Sequence, residues 1–397
     1  MLTVSSIPTM PISPDPSSDM MTPDIPHIEK KVYQELYALA DWMLKTKPWE
    51  RMQDTHVFVI VDPDTNERQL AVVMGNAGIV YALHLYQPEE GTRWYHNIQC
   101  YESSSQSQHA GQFDNRYVTI EFDEGSGLDE HDELLDDLYA PEDWFDEEAA
   151  LTEGYLESVL FRSIVPAHPP WHPETADTLR MMDGLRLLKR YYNDYFDEYA
   201  WAGYFVDPDE SVITLPTFTL PLGAKRADAA AWHFAMEPFD VPRPKTLPQV
   251  PPDELFVARL DSLPVKPGVS WEAGIIFSPI PVSDGGRPFF PLVPLVVERD
   301  TEWLGRSELS SPLEPREHVF RASIAETAIT RGYLPESIFV GSPISELALT
   351  GLAAARDITI VPAPDDMALF HSAVQSMLEF TGLSMSEEEG DFEDLFT

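Results

Sequence analysis

Four carboxylates, Asp284, Glu298, Asp300 and Asp366, fall beside the ends of apolar runs in the last third of a 397-residue chain. Carboxylates gathered at neighbouring strand ends can hold two divalent cations about 4 Å apart and clamp a phosphoryl group between them. The positions such a centre ordinarily uses are filled differently here. The run GIIFSPIPV offers Ser278, the run SIFVGSP offers Gly341 and Ser342, and Glu379 stands near the far end of the last predicted helix. A serine hydroxyl does not replace a charged hard-oxygen ligand for Mg²⁺. With 67 acidic residues against 26 basic ones, acids near any given point are also expected by chance. The expectation is no metal ligand set, no cofactor and no catalytic residue. The four acids stand as the alternative, the centre of a divergent metal-dependent nuclease or phosphotransferase.

Other residues that could do chemistry are few. His168 and His172 in the loop HPPWHP would need carboxylate help to hold a metal, and the prolines break the i, i+4 spacing of a helical pair. The turn GNAG (Gly75 to Gly78) leads into an apolar run of strand type, whereas a phosphate-cradling loop opens a helix. No Gly-x-Ser-x-Gly elbow, His-Glu-x-x-His pair or Walker loop is present. Arg180, Arg186, Lys189 and Arg190 form the most basic cluster, expected to answer the acidic stretch 123–148 by salt bridges. That stretch holds 13 acids without the alternating pattern of a calcium loop, and reads as a solvated, self-repelling surface.

A second kind of candidate lies in SEEEGDFEDLFT, Ser386 to Thr397. There Phe392, Leu395 and Phe396 would supply apolar anchors while Asp391, Glu393 and Asp394 steer, a pattern suited to a basic groove lined with apolar pockets. The formal net charge of −41 points the same way: it repels nucleic acid and anionic membrane and favours a protein partner with a basic surface. A chain this acidic could also mimic nucleic acid and fill another protein's basic groove through 123–148. Cys100 is the only cysteine, which excludes an internal disulfide and fits a reducing cytoplasm. The first 27 residues have neither a basic n-region nor an apolar h-region, so no signal peptide or membrane span is expected.

The elements that must position these residues follow from periodicity. Residues 1–27 read as a disordered lead, and a helix from Ile28 to Thr46 carries Val32, Leu36, Leu39, Ala40 and Met43 on one face. VFVIV, QLAVVM and IVYALHLY, separated by DPDTNER and GNAG, make an antiparallel meander. A long helix from Glu174 to Tyr199 buries Leu179, Met182, Leu185, Leu188 and Tyr192. Residues 28–240 therefore read as an α+β domain, 241–252 as a Pro-rich linker, 253–383 as a second domain and 384–397 as an acidic tail. In the second domain ELFVARLDSL is expected to enter as a strand. Three strands then precede helix–strand–helix–strand–helix, ending in DMALFHSAVQSMLEF. That order is the order of an α/β RNase H-like fold, here without its usual carboxylates.

YQELYALADWMLKTKPWERM with VFVIVDPDTNERQLAVVMGNAGIVYALHLY resembles the N-terminal half of a group of two-domain bacterial proteins of unknown function. RPFFPLVPLVVE with RGYLPESIFVGSPISELALTGLAAARDITIVPA resembles the domain that follows it. The resemblance covers about two thirds of the chain through Trp, Gly and Pro patterns, and it implies two domains but no activity or site residue. The residues imply an uncharacterised, non-catalytic protein acting through protein contacts. Replacing Phe392, Leu395 and Phe396 with Ala is expected to abolish capture of that partner from host lysate while leaving the melting temperature unchanged; undiminished capture would refute the tail as anchor.

Overall fold

A computed structural model describes residues 30–100, 115–123, 130–140, 158–206, 210–243, 250, 253–283, 285–363 and 366–380. Helix α1 (Lys30–Thr46) presents Leu36, Ala40 and Met43 to the core, as its spacing predicts. It stops where Lys47 turns left-handed (φ 49°) ahead of Pro48, which has no amide hydrogen to continue the ladder. The meander forms β1 (Phe58–Val61), β2 (Arg68–Met74) and β3 (Tyr81–Tyr86), and the GNAG turn does open a strand. Helix α2 (Glu90–Cys100), β4 (Tyr117–Asp123), α3 (Glu130–Tyr139) and β5 (Ser158–Ile164) follow. The long helix comes as α4 (Thr175–Asp194) and a last turn, α5 (Phe196–Tyr199). Strands β6 (Val212–Thr219) and β7 (His233–Asp240) complete a seven-stranded sheet in the order β5-β4-β3-β2-β1-β6-β7. Every neighbour is antiparallel except β1 and β6, where Val59 to Val61 run parallel to Thr217 to Thr219.

Alternating side chains give this sheet two apolar faces. One packs against α1 and α4 through Phe58, Leu85, Met181, Leu185 and Leu188. The other packs Val59, Leu70 and Val72 against Tyr95 of α2 and Tyr204. Helix α4 buries Met182, Leu185 and Leu188 of its predicted stripe, leaves Leu179 and Tyr192 half-buried, and adds Met181, Leu187 and Tyr191, because it is enclosed by both the sheet and α1.

The charged clusters correct two expectations. The arginines of α4 turn to other partners than the acidic stretch: Arg180 binds Asp62 and Asp177, Arg186 binds Glu35, and Arg190 donates to the Ala229 and Trp232 carbonyls at 2.6 Å. The acidic stretch is not purely a solvated face either. In α3, Asp136 is buried and accepts from Tyr37 Oη at 2.6 Å, and Asp132 is buried against Arg162. A helix laid on the sheet edge must turn some side chains inward, and these two meet donors there.

The second sheet contains β8 (Val265–Phe277), β9 (Leu292–Glu298), β10 (Trp303–Leu304), β11 (Leu334–Val340) and β12 (Thr359–Pro362), in the order β10-β9-β8-β11-β12. Counted from β8 this is 3-2-1-4-5, with the first three strands antiparallel and the fourth and fifth parallel to the first. Helices α7 (Arg316–Arg331), α8 (Pro343–Arg356) and α9 (Ala368–Phe380) follow β10, β11 and β12 in turn. Ser342 caps α8 by accepting from Ser345 N, and Pro343 fills its first turn. Helix α9 buries Phe370 and Val374 beside Met367. ELFVARLDSL is not a strand: Glu254–Leu260 is helix α6, started by Asp253 accepting from Phe256 N at 2.9 Å.

The two sheets meet through the HPPWHP loop. Phe290 N donates to Ala167 O at 2.8 Å, and Arg287 donates to the Ser163 and Pro169 carbonyls. Ala167 closes an apolar cluster with Phe277, Leu292 and Val319.

Buried Asp183 on α4 lies between Arg226 Nε at 2.6 Å and Arg186. Burial pushes its carboxyl up to about 6 against the pull of those arginines, with Asp62 adding to the rise. A raised carboxyl stabilises the fold most below the ordinary carboxylate range and loses that contribution as pH rises through the folded value. Urea unfolding of wild type and Asp183→Asn is therefore expected to show wild type losing ground to the variant between pH 4 and 7, by on the order of 1–3 kcal/mol.

Candidate functional site

Charges embedded in the second sheet sit where β8 and β9 pair. Trp271 stands opposite Glu298, and Glu272 opposite Val297. Successive residues point to opposite faces, so Trp271 and Glu298 share the α7 side while Glu272 and Arg299 share the α9 side. Glu272 is the one charge inside the apolar run SWEAGIIF, and it is 2% exposed. It is the acid of the central strand, and it is not among the expected ligand positions. Ser278 lies beyond the last residue of β8. The signal was available: a lone acid in a strand otherwise destined for burial must have a dedicated partner.

Arg299 is that partner. Glu272 Oε1 accepts from Arg299 Nε at 2.8 Å, and Oε2 accepts from Phe370 N at 2.8 Å. Phe370 is in the first turn of α9, whose amides have no intrahelical acceptor, so the carboxylate serves the helix end and its partial positive charge. Arg299 lies 3.6 Å from the centroid of the Phe339 ring and reaches the Asp366 carbonyl, with the Asp366 carboxylate 3.3 Å away. Close by, Gly274 leaves room for Phe370, whose ring would stand 2.7 Å from any added Cβ.

On the opposite face Glu298, also 2% exposed, accepts from Tyr333 Oη at 2.7 Å, Arg331 at 2.6 Å, Thr301 Oγ1 at 3.0 Å and Trp271 Nε1 at 3.4 Å. Burial raises its pKa, but these donors overcome it and the carboxyl is held below its usual range. Arg331 in turn lies over Trp303 at 4.9 Å. The oxygens of both carboxylates are thus filled by protein donors.

The described members of the alternative acid set are not brought together as a metal site. Glu298 answers Arg331 and Asp366 answers Arg299, while Asp300 has no bond to either. Asp284 lies outside the described residues. Glu379 is exposed and accepts from Gln375. Among the described residues no group of three or more His, Cys, Asp and Glu is placed to hold a metal ion. His168 packs beside Phe289 and His172 beside Trp171, so the HPPWHP loop is a joint between sheets. Asp391, Phe392, Glu393, Asp394, Leu395 and Phe396 lie outside the described residues. No described helix is long and apolar enough to cross a membrane.

Residues 33–199 match the family model of a domain of unknown function (DUF7309), and residues 257–378 match that of a second domain of unknown function (DUF6930). This is a two-domain protein. No curated protein and no solved structure matches the chain. The first match ends at α5, before β6 and β7, although β6 pairs with the central β1. The second spans the whole Glu272 and Glu298 arrangement.

Removing one partner of a buried ion pair costs about 3–5 kcal/mol, because the remaining charge is left without compensation. Arg299→Ala is expected to lose stability on that scale in denaturant unfolding, and Glu272→Gln combined with Arg299→Ala to recover part of it. An Arg299→Ala loss below about 1 kcal/mol would show that the pair is not the anchor of α9.

Proposed function

We propose that this protein is a non-catalytic bacterial adaptor of the cytoplasm, whose second domain is a degenerate RNase H-like fold and whose acidic tail binds a protein partner with a basic surface. The observation that carries the reading is Glu272. The strand order 3-2-1-4-5, with helices after the third, fourth and fifth strands, supports the fold reading. In such a fold the central strand is where a metal-binding acid is wanted, and the acid here is already filled by Arg299 and an α9 amide. The net charge of −41 supports a basic protein partner over direct nucleic-acid binding.

A metal-dependent nuclease or phosphotransferase remains the second reading, favoured by one observation: Glu272 and Asp366 both lie within reach of Arg299, so release of that arginine would leave two acids near the central strand. Added Mn²⁺ is expected to leave the melting temperature unchanged. A rise of several degrees, through preferential binding to the folded state, would overturn the non-catalytic reading. Affinity capture of the tagged chain from host lysate, with and without residues 386–397 and at two salt concentrations, tests the adaptor. A stoichiometric partner lost with the tail is the expected result; equal retention by both forms would overturn it.

A further inference from the structure

Helix α6 stands on the outer side of α7 and α8 with a groove on each flank. The α8-side groove, of about 360 Å³, is lined by Glu254 and Asp261 beside Val257 and Ala258. The α7-side groove, of about 290 Å³, has an apolar lining of Leu255, Phe256, Ala322 and Ala325, with Arg259 and His318 beside it. Leu255 is 83% exposed, and Arg259 and His318 are exposed too. The acid shared by both grooves is Asp253, already held by Phe256 N and standing 3.9 Å from Arg321. The second groove therefore presents an apolar floor with two exposed bases at its edge, in a chain where acids outnumber bases by 67 to 26.

We propose that residues 391–396 of this same chain dock in the α6–α7 groove, with Phe392, Leu395 and Phe396 on the apolar floor and Asp391, Glu393 and Asp394 facing Arg259 and His318. The inference rests on the reading of the tail as a docking segment and adds an intramolecular site that competes with the partner for it. Charge complementarity selects this groove over its acid-lined neighbour. A cavity of about 150 Å³ accepts a benzene ring, so the groove has room for about two of the three anchors, with the third at its open rim. Reach agrees as well. The sixteen residues that follow Phe380 as far as Phe396 extend up to about 55 Å. A domain of this length has a radius of gyration of about 14 Å, hence a diameter of about 35 Å, so the segment can pass round an edge of the sheet from the α9 face to the α7 face.

Hydrogen exchange of α6 in the full chain, with no partner present, tests the proposal. Phe392→Ala, Leu395→Ala and Phe396→Ala together are expected to speed exchange of the α6 amides fivefold or more at unchanged melting temperature. Arg259→Glu is expected to do the same, and adding Asp391→Lys, Glu393→Lys and Asp394→Lys to it to restore protection. Unchanged α6 exchange in the triple alanine variant would overturn the proposal. So would protection that vanishes on dilution, which would place the segment of a second copy in the groove. Tail-dependent capture of a partner with no effect of the tail on α6 would overturn this inference alone and leave the adaptor reading standing.

Discussion

A carboxylate enclosed between a sheet and a helix must either take up a proton or find a cation and hydrogen-bond donors, and Glu272 is where this constraint governs the second domain. Its two oxygens tie the central strand to β9 through Arg299 and to α9 through Phe370 N. One side chain thus fixes the strand pair, the start of the last helix and the position of Arg299 over Phe339. Glu298 does the equivalent on the other face, joining β8 through Trp271, the end of α7 through Arg331 and the start of β11 through Tyr333.

The same rule runs through the whole molecule. In a chain so rich in acid, several arginines are half-buried and reach inward to their partners. Arg162 answers Asp132, Arg180 answers Asp62, and Arg226 answers Asp183. Arg190, Arg321 and Arg356 satisfy backbone carbonyls where elements cross. The planar guanidinium suits these junctions because it offers several donors in fixed directions and stacks on aromatic rings.

How much of this could be read beforehand depends on the kind of signal. The meander, the long helices and the succession of elements in the second domain follow from local periodicity, which is a property of the sequence itself. Helix α6 was missed because LFVARL is compatible with a strand, although Asp253 followed by Glu254 is a helix-start pattern that the preceding prolines reinforce. The partners of the α4 arginines were not legible, since Asp62, Glu35 and Trp232 reach them only through the sheet order. Glu272 was visible as an anomaly, yet its role needed Arg299 and α9 beside it. The prolines of the HPPWHP loop speak against metal chemistry in the sequence, but only the fold makes this region a joint carrying Ala167 and Pro169 to the second sheet.

The parallel pairing of β1 with β6 has a consequence for how the chain is made. Strand β1 is bordered on one side by β2, a few residues away, and on the other by a strand beginning at Val212. A ribosome adding about 5–20 residues per second needs roughly 10–30 s to travel from Val59 to Thr217. During that interval the nascent meander presents a bare edge of Val59, Ile60 and Val61, hydrogen-bonding groups and apolar side chains together. The first domain is therefore closed long after its meander is made, by the β6–β7 hairpin that covers the open edge.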